Sequence, residues 1–557
     1  MAKLRSLSVD SPWRRAHWYA LGLTEADMHK PKIAVVNSSS ELAVCYAHLD
    51  GVAKVVKEAV RAAGGVPFEV RTTAPSDFIT GTASRGSYIL AARDLVTNDI
   101  EAQVEAALLD GMICLTSCDK TPPGHLMAAG RLNIPTILVI GGYQASGRIG
   151  DKPVDLEDLW SGVVGLEFGK PLPHDLEQMT RQAVRGPGVC AGMATANTMH
   201  CVVEALGMCV PGSAPVRANS GKMFDAARRA GARIVEMVHE DLRPRQILTE
   251  GAFRNAIATV LAVSGSINAI KHLQATAVEA HTDVNVFALW DELSRKVPIL
   301  SAVRPNGAVR IEGFEDAGGA RAVLKQLESL IDTSVTTCTG QTLAQDLAGY
   351  RVPDPEIIRA VDRPIAPGPA IVILKGSLAP ESAVLKMGIP DGKRPELFEG
   401  KARVYDDTAV AMREIRDGTV KAGDVMVCRG QGLKGGPAMG GGASLILFAI
   451  DAVGLARDVA IVTDGQLSGL CLKGLTVAEV APEAAVGGPI GLVKTGDAIR
   501  ISVAERSLEL KVSAEELAVR RAALPEGYAI PAHGYLGIYR RNVQPMSTGA
   551  VLIEPCG

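Results

Sequence analysis

The chain is poor in aromatic residues: Phe, Trp and Tyr make up 4% of its 557 residues. No two of its ten cysteines form a CxxC pair, which argues against a zinc ribbon or finger. Ten cysteines in so long a chain are also too few for a disulfide scaffold, so free thiols are expected, with a subset available as ligands to a metal. No apolar run is long enough to span a membrane. The opening MAKLRSLSVDSPWRRAHWY lacks the apolar segment of a secretory signal, and the expectation is a cytoplasmic protein. Neither a basic block nor an acidic tail is present, and the formal net charge is −3, so a nucleic-acid partner is not expected. Internal repeats and low-complexity segments are absent as well.

What remains is ordinary globular material, 47% hydrophobic and 21% charged, long enough for two or more domains. In the first half the pattern alternates. KIAVVNSS reads as a strand, and Leu49 to Ala63 carries Val52, Val55, Val56, Ala59 and Val60 on a helical stripe closed by Gly64-Gly65. VPFEVRTT is a strand, Leu90 to Leu109 is helical, GMICLTS is a strand, Leu126 to Leu132 is helical, and IPTILVIGG is a strand. Such alternation predicts an α/β domain with a parallel sheet. Prolines 353, 355, 364, 367 and 369 then cluster, as in a linker. Beyond them GDVMVCRG, RDVAIVTDG, GPIGLVKTGDAIRISV and SLELKV are short β-rich runs between glycines. The expected division is an N-terminal α/β domain over 1–350, a linker over 351–369 and a strand-rich, β-barrel-like domain over 370–557.

LTSCDKTPPGH sets Cys118, Asp119 and Lys120 side by side after a predicted buried strand, and TPPG reads as a break in regular structure. The triplet then lies at the carboxyl end of a strand, where ligands bind in open α/β sheets. By residue type alone, a buried thiol beside a surface ion pair explains it as well. Cys45 in NSSSELAVCYAHLD and Cys190 in GVCAGMATANTM also fall at strand ends or Gly-rich turns. Cys114, Cys201, Cys209, Cys338, Cys428 and Cys471 lie in apolar elements and read as packed thiols. Gly430, Gly432 and Gly435 spell GxGxxG after a strand. However, GGPAMGGGAS is a poor helix start and no Rossmann-like units follow, so a glycine loop closing over a small ligand is the better reading than a dinucleotide site.

SELAVCYAHL, SCDKTPPG, CAGMATANTM, EALGMCVPGSAP, SGSINAIKHL, LKGSLAPESAVLK, KGGPAM, TDGQLSG and VAPEAAVGGPI occur in one order along nearly the whole chain. Together they resemble the iron–sulfur dihydroxy-acid and sugar-acid dehydratases, a family that includes phosphogluconate dehydratase. The resemblance implies a hydro-lyase that turns a 2,3-dihydroxy carboxylate into a 2-keto acid. It implies a [2Fe–2S] cluster on Cys45, Cys118 and Cys190, with one iron open to act as a Lewis acid on a substrate hydroxyl. It further implies Mg²⁺ on Asp77, Asp119 and a carbamylated Lys120, and Ser468 as the base that takes the C2 proton. A homodimer or homotetramer, acting on a small hydroxy acid, is implied as well.

The chain also departs from the family. Where members read RYEGPKGGPGMPE, this sequence reads RGQGLKGGPAMGG, so the acid that would complete the Mg²⁺ site falls at Gly441. A weaker Mg²⁺ site and an altered substrate are expected, with Leu433, Leu470 and Leu472 hinting at a more apolar lining. Branched-chain-type dihydroxy acids are the first expectation. The alternatives are an aldonic acid, a specialised-pathway hydroxy acid, and a repurposed iron–sulfur protein without efficient turnover.

Overall fold

The computed structural model describes residues 4–8, 11–81, 86–388, 395–439, 442–468, 474–523 and 531–553. Its first sheet is built from β1 (Lys32–Asn37), β2 (Val66–Arg71), β3 (Gly111–Thr116) and β4 (Thr136–Ile140). All three pairings are parallel and the order is β2-β1-β3-β4. Every residue of β1, β3 and β4 is buried, as expected for parallel strands covered on both faces. Between β1 and β2 runs the helix Leu49–Ala62, which buries Leu49, Val52, Ala53, Val56 and Val60 on one stripe. Its end is set by Gly64 at φ +89, with Gly65 N–H bonded back to Val60 O at 2.9 Å.

The helix after β3 starts earlier than its sequence suggests. TPPG opens the helix Thr121–Leu132 instead of breaking it. Pro122 and Pro123 occupy its first turn, where a missing N–H leaves no bond unmade. Gly124 lets this helix lie against Ser87–Val104, since a Cβ there would come within 2.9 Å of Arg93 O. Asn133, in the left-handed region at φ 48, ends it.

A small hairpin, β5 (Gly147–Ile149) and β6 (Lys152–Val154), separates this sheet from a helical layer. The second sheet holds β7 (Ile371–Leu374), β8 (Ser382–Lys386), β9 (Leu397–Tyr405), β10 (Asp424–Cys428), β11 (Ala460–Thr463), β12 (Leu475–Ala481), β13 (Ala498–Ser502) and β14 (Ser507–Leu510). The order is β14-β13-β9-β10-β11-β12-β8-β7, with a parallel centre from β9 to β12 and antiparallel flanks. A bridge between Lys375 and Ser507 brings the two edges together, so the sheet nearly closes into a barrel.

Side-chain alternation makes this sheet two-faced. Ile371, Ile373, Val384 and Ala478 join the core of the first sheet, while Val372, Leu374, Leu385 and Val477 fill the barrel's own core. Polar ties reinforce the junction. Lys386 Nζ donates to Gly265 O at 2.7 Å. Lys271, on the helix Asn268–Glu279, pairs with Glu479 of β12, and both are buried. Lys271 Nζ also donates to Asn268 Oδ1 at 2.6 Å.

Removing one member of such a pair strands the other charge in the interior. Lys271→Met is expected to lower the unfolding free energy by about 3–5 kcal/mol. Lys271→Met with Glu479→Leu should recover most of that loss. Denaturant midpoints of the single and double variants check it, and equal losses in both would remove the ion pair as the cause.

Candidate active site

In the order β2-β1-β3-β4 the chain leaves β1 in one direction for β2 and returns on the other side for β3. The crevice at the carboxyl ends of β1 and β3 is therefore the topological switch point of the sheet. Cys45 follows β1, Asp77 follows β2, and Cys118, Asp119 and Lys120 follow β3. Hydrogen bonds fix these strand-end segments to one another. Ser117 Oγ donates to Cys45 O, and Tyr46 OH donates to Pro75 O at 2.6 Å. His48 is engaged elsewhere, with Nε2 2.6 Å from Gly141 O.

Cys190 arrives from a loop that runs beside the extension of β4. Val189 N–H donates to Gly142 O at 2.9 Å, and Gln144 N–H donates to Val189 O at 2.8 Å. Asn197 Nδ2 holds the loop by donating to both Cys190 O and Gly192 O at 2.8 Å. Ser468 comes from the second sheet, beyond the end of β11. Its N–H donates to Ser444 Oγ at 3.1 Å, and the neighbouring Leu467 O accepts from Asn268 Nδ2 at 3.4 Å.

Asp77, Cys118, Asp119, Cys190 and Ser468 line one cavity of about 420 Å³. Cys45 sits behind it in hydrogen-bonding contact with Cys118, and its Sγ is 3.7 Å from Ser76 Oγ. Lys120 is wholly buried, with Nζ 3.2 Å from Asp77 Oδ2 and 3.7 Å from Asp119 Oδ2. All seven residues expected at the site from sequence thus meet in one place. Gly441, Leu470 and Leu472 lie outside the described residues. Leu433 is absent from the cavity's lining and packs with Ile89 and Met439. Of the thiols expected to be packed, Cys114, Cys201, Cys209, Cys338 and Cys428 are all buried, and Cys471 lies outside the described residues.

Burial and close contacts shift the protonation of these groups. The hydrogen bond from Cys118 stabilises the Cys45 thiolate and lowers its pKa. The same bond and burial hold the Cys118 thiol well above its ordinary range, and burial does the same to Cys190. Burial also pushes Asp77 up to about 7, with the Lys120 ammonium pulling the other way. Asp77 Oδ1 is buried without a hydrogen-bond partner. Buried thiols and an under-satisfied carboxylate are groups that a bound metal would deprotonate and complete. Among the described residues, no three Cys, His, Asp or Glu side chains converge on a single ion. A cluster with two irons does not require that: it suits an adjacent thiol pair plus a third thiol across a cavity. The two carboxylates beside Lys120 offer hard oxygens of the kind Mg²⁺ prefers.

The glycine-rich segment after β10 has a different role from the one its pattern evokes. Its amides are already engaged by two carboxylates, one buried and one half-buried. Asp464 accepts from Gly430 N–H at 3.1 Å, Gln431 N–H at 2.8 Å and Ala484 N–H at 3.0 Å. Glu483 accepts from Leu433 N–H, from Lys434 N–H at 2.7 Å and from Gly435 N–H at 3.2 Å. Acids occupy the ground that a pyrophosphate would need. Gly432 is required because a Cβ would lie 1.9 Å from Glu483 Oε2. The expectation that this stretch makes a poor helix start does not hold either, because Gly442–Ala452 is a helix of mostly buried residues. Burial of its apolar side chains outweighs the cost of glycine in its first turn.

Sequence reasoning missed one wall of the cavity. Leu156, Leu159, Trp160 and Val163 line it from the helix Leu156–Glu167. The signal was present: Asp155 followed by Asp158 as a capping box, then apolar residues at helical spacing.

Residues 30–346 match the model of the dihydroxy-acid/6-phosphogluconate dehydratase N-terminal domain, and 356–550 match that of the C-terminal domain. A dihydroxy-acid dehydratase of Methanosarcina barkeri is 42% identical over 538 residues, covering 96% of each chain. One from Methanococcoides burtonii is 41% identical over 536 residues, again 96% of each. One from Syntrophobacter fumaroxidans is 39% identical over 555 residues, 99% of this chain and 98% of its own.

Glu483 offers a test of the loop's anchoring. Burial raises its pKa from 4.5 to about 7, against the pull of the three N–H bonds. Between those values the folded chain holds a proton that the unfolded chain has released. Stability should therefore fall as pH rises through that window, by up to about 1.4 kcal/mol per pH unit. Glu483→Gln cannot ionise and should flatten the slope, as read from denaturation at pH values across the window. An unchanged slope would assign it to another group.

Proposed function

This chain belongs to the dihydroxy-acid/6-phosphogluconate dehydratase family, and from that premise we propose that it removes water from a 2,3-dihydroxy carboxylate to give a 2-keto acid. The observation that carries the reading is the meeting of Cys118, Cys190, Asp77, Asp119 and Ser468 on one cavity, with Cys45 and Lys120 directly behind. Cys45, Cys118 and Cys190 would hold a [2Fe–2S] cluster, and Asp77, Asp119 and a carbamylated Lys120 would hold Mg²⁺. When bound, these groups supply Lewis acidity toward the substrate's oxygens and positive charge that makes a serine alkoxide accessible.

The residues then divide the work. Ser468 Oγ takes the proton from C2. The electron pair of that C–H bond becomes the C2–C3 double bond, and the C3–O bond breaks with its electrons on oxygen, which leaves as water after gaining a proton. The enol that remains tautomerises, C3 gaining a proton as the C2 hydroxyl gives one up, to become the 2-keto acid. Ser444 and Asn268 hold the peptide unit that precedes the serine, one through its N–H and the other through its C=O, so its position depends on both halves of the chain. The fold supports assembly of the site within one chain, and a homodimer or homotetramer is the expected state in solution.

Ser468→Ala should retain iron, acid-labile sulfide and visible absorption while turnover falls about 10²–10⁴-fold, the range for losing a general base. Cys118→Ser should lose iron and sulfide together. Full turnover by Ser468→Ala on a dihydroxy-acid panel would remove this residue as the base.

A further inference from the structure

The segment that carries Ser468 is held from behind by a buried polar chain, and Glu479 reaches that segment by two routes. Its backbone N–H donates to Gly465 O at 2.9 Å. Its carboxylate pairs with Lys271, whose Nζ donates to Asn268 Oδ1 at 2.6 Å, and Asn268 Nδ2 donates to Leu467 O at 3.4 Å. Gly465 and Leu467 flank Gln466, and Ser468 follows directly. A branch of the same chain ends at the cavity: Asn268 Nδ2 also donates at 3.0 Å to Oγ1 of Thr195, a lining residue. Thr195, Asn268, Lys271 and Glu479 are all buried, so water does not stand in for a bond lost among them.

Glu479 holds an unfavourable conformation in this place. It is not glycine, yet its φ is +55, and β12 shifts its register against β8 between Ala478 and Ala481. Its Oε2 is buried with no hydrogen-bond partner among the described residues. A side-chain-bearing residue in the left-handed region persists where its surroundings over-determine it, and such positions cluster at functional sites. Here both the N–H and the carboxylate of the strained residue are directed at the serine segment.

What the chain transmits is the direction of an amide. A charged lysine only donates, so the side of Asn268 that faces Lys271 must be its carbonyl oxygen. The NH2 then faces Leu467 O and Thr195 Oγ1. Turned over, the amide would set its oxygen against Leu467 O and its NH2 against the ammonium. Glu479 supports the charge on which this choice depends. Burial lowers the Lys271 pKa to about 8, and the Glu479 carboxylate pulls it back up. A neutral amine also accepts, and would leave the amide free to turn.

We propose that Glu479 and Lys271 are positioning residues for the reaction, which orient the Asn268 amide and through it fix the peptide that precedes Ser468. The proposal rests on the reading of Ser468 as the base, and it gives the pair a part in turnover beyond joining the two halves of the chain. A base must lie within hydrogen-bond reach of the proton it takes, so loosening this peptide acts on kcat more than on substrate binding.

The test compares the metal-loaded wild type with two variants. Lys271→Met with Glu479→Leu removes the orienting pair while keeping most of the stability. Asn268→Asp keeps an acceptor for Lys271 but turns an oxygen toward Leu467 O. Both should retain iron and sulfide, with kcat about 10- to 100-fold lower and KM little changed. Amide exchange over residues 465–468, followed by mass spectrometry, should be faster in both. A merely structural pair would regain kcat along with stability in the double variant. Wild-type kcat in either variant, or a change confined to KM, would overturn the proposal. Exchange is read without turnover. If the wild type dehydrates no dihydroxy acid, the elimination reading fails and exchange decides: faster exchange in the variants supports the positioning role, and unchanged exchange overturns it.

Discussion

The arrangement of this molecule depends on where β1 and β3 end. Because the chain reverses its direction of winding between them, their carboxyl ends open a crevice instead of being bridged by a connecting helix. Cys45 and Cys118 stand on its two sides, and the Ser117 hydroxyl, bonded to Cys45 O, locks the two loops together. The third thiol and both carboxylates are fitted to this crevice by neighbours that extend the same edge. Asp77 and Asp119 flank the single buried ammonium of Lys120, and burial holds Asp77 and the Cys118 and Cys190 thiols toward their neutral forms.

The second sheet serves this crevice by presenting a segment across it. β12 is bonded to the helical layer by Lys271 and Glu479, and Asn268, which accepts from Lys271, donates to the backbone beside Ser468. A charge pair buried at a junction adds little net stability, but its geometry is strict. Here it sets the register between the part that carries the thiols and the part that carries the serine. The glycine-rich segment is held by the same means: Asp464 and Glu483 accept its amides in two sets, and glycine is needed where those carboxylates come closest.

Much of this was legible in the sequence, and what was missed has identifiable causes. Leu49–Ala62 was readable because its stripe and its closing glycines agree, and β1, β3 and β4 because fully buried parallel strands are unbroken apolar runs. The position of Cys118 to Lys120 followed from the strand before them. The start of the next helix did not, since a proline that breaks a helix and one that begins it look alike until the preceding strand's end is fixed. Gly442–Ala452 was hidden by its glycines, because tertiary burial outweighs local propensity. The roles of Cys45, Cys190, Asp77 and Ser468 rested on resemblance, since a thiol in a turn carries no mark of what it binds. Their convergence is a product of topology, which residue type alone does not encode.

The wall opposite the thiols is not carried by those motifs, and its signal lay in the capping box and the apolar stripe of Leu156–Glu167. Keeping the wall there costs exposure of Phe78 and Val163 to water, at about 25 cal/mol for each Å² left uncovered. Arg304 joins the start of the helix that carries the wall to the loop that carries Cys190. The wall and the thiol loop therefore keep a fixed relation through one arginine, a relation made by packing between segments far apart in the chain, which no local motif encodes.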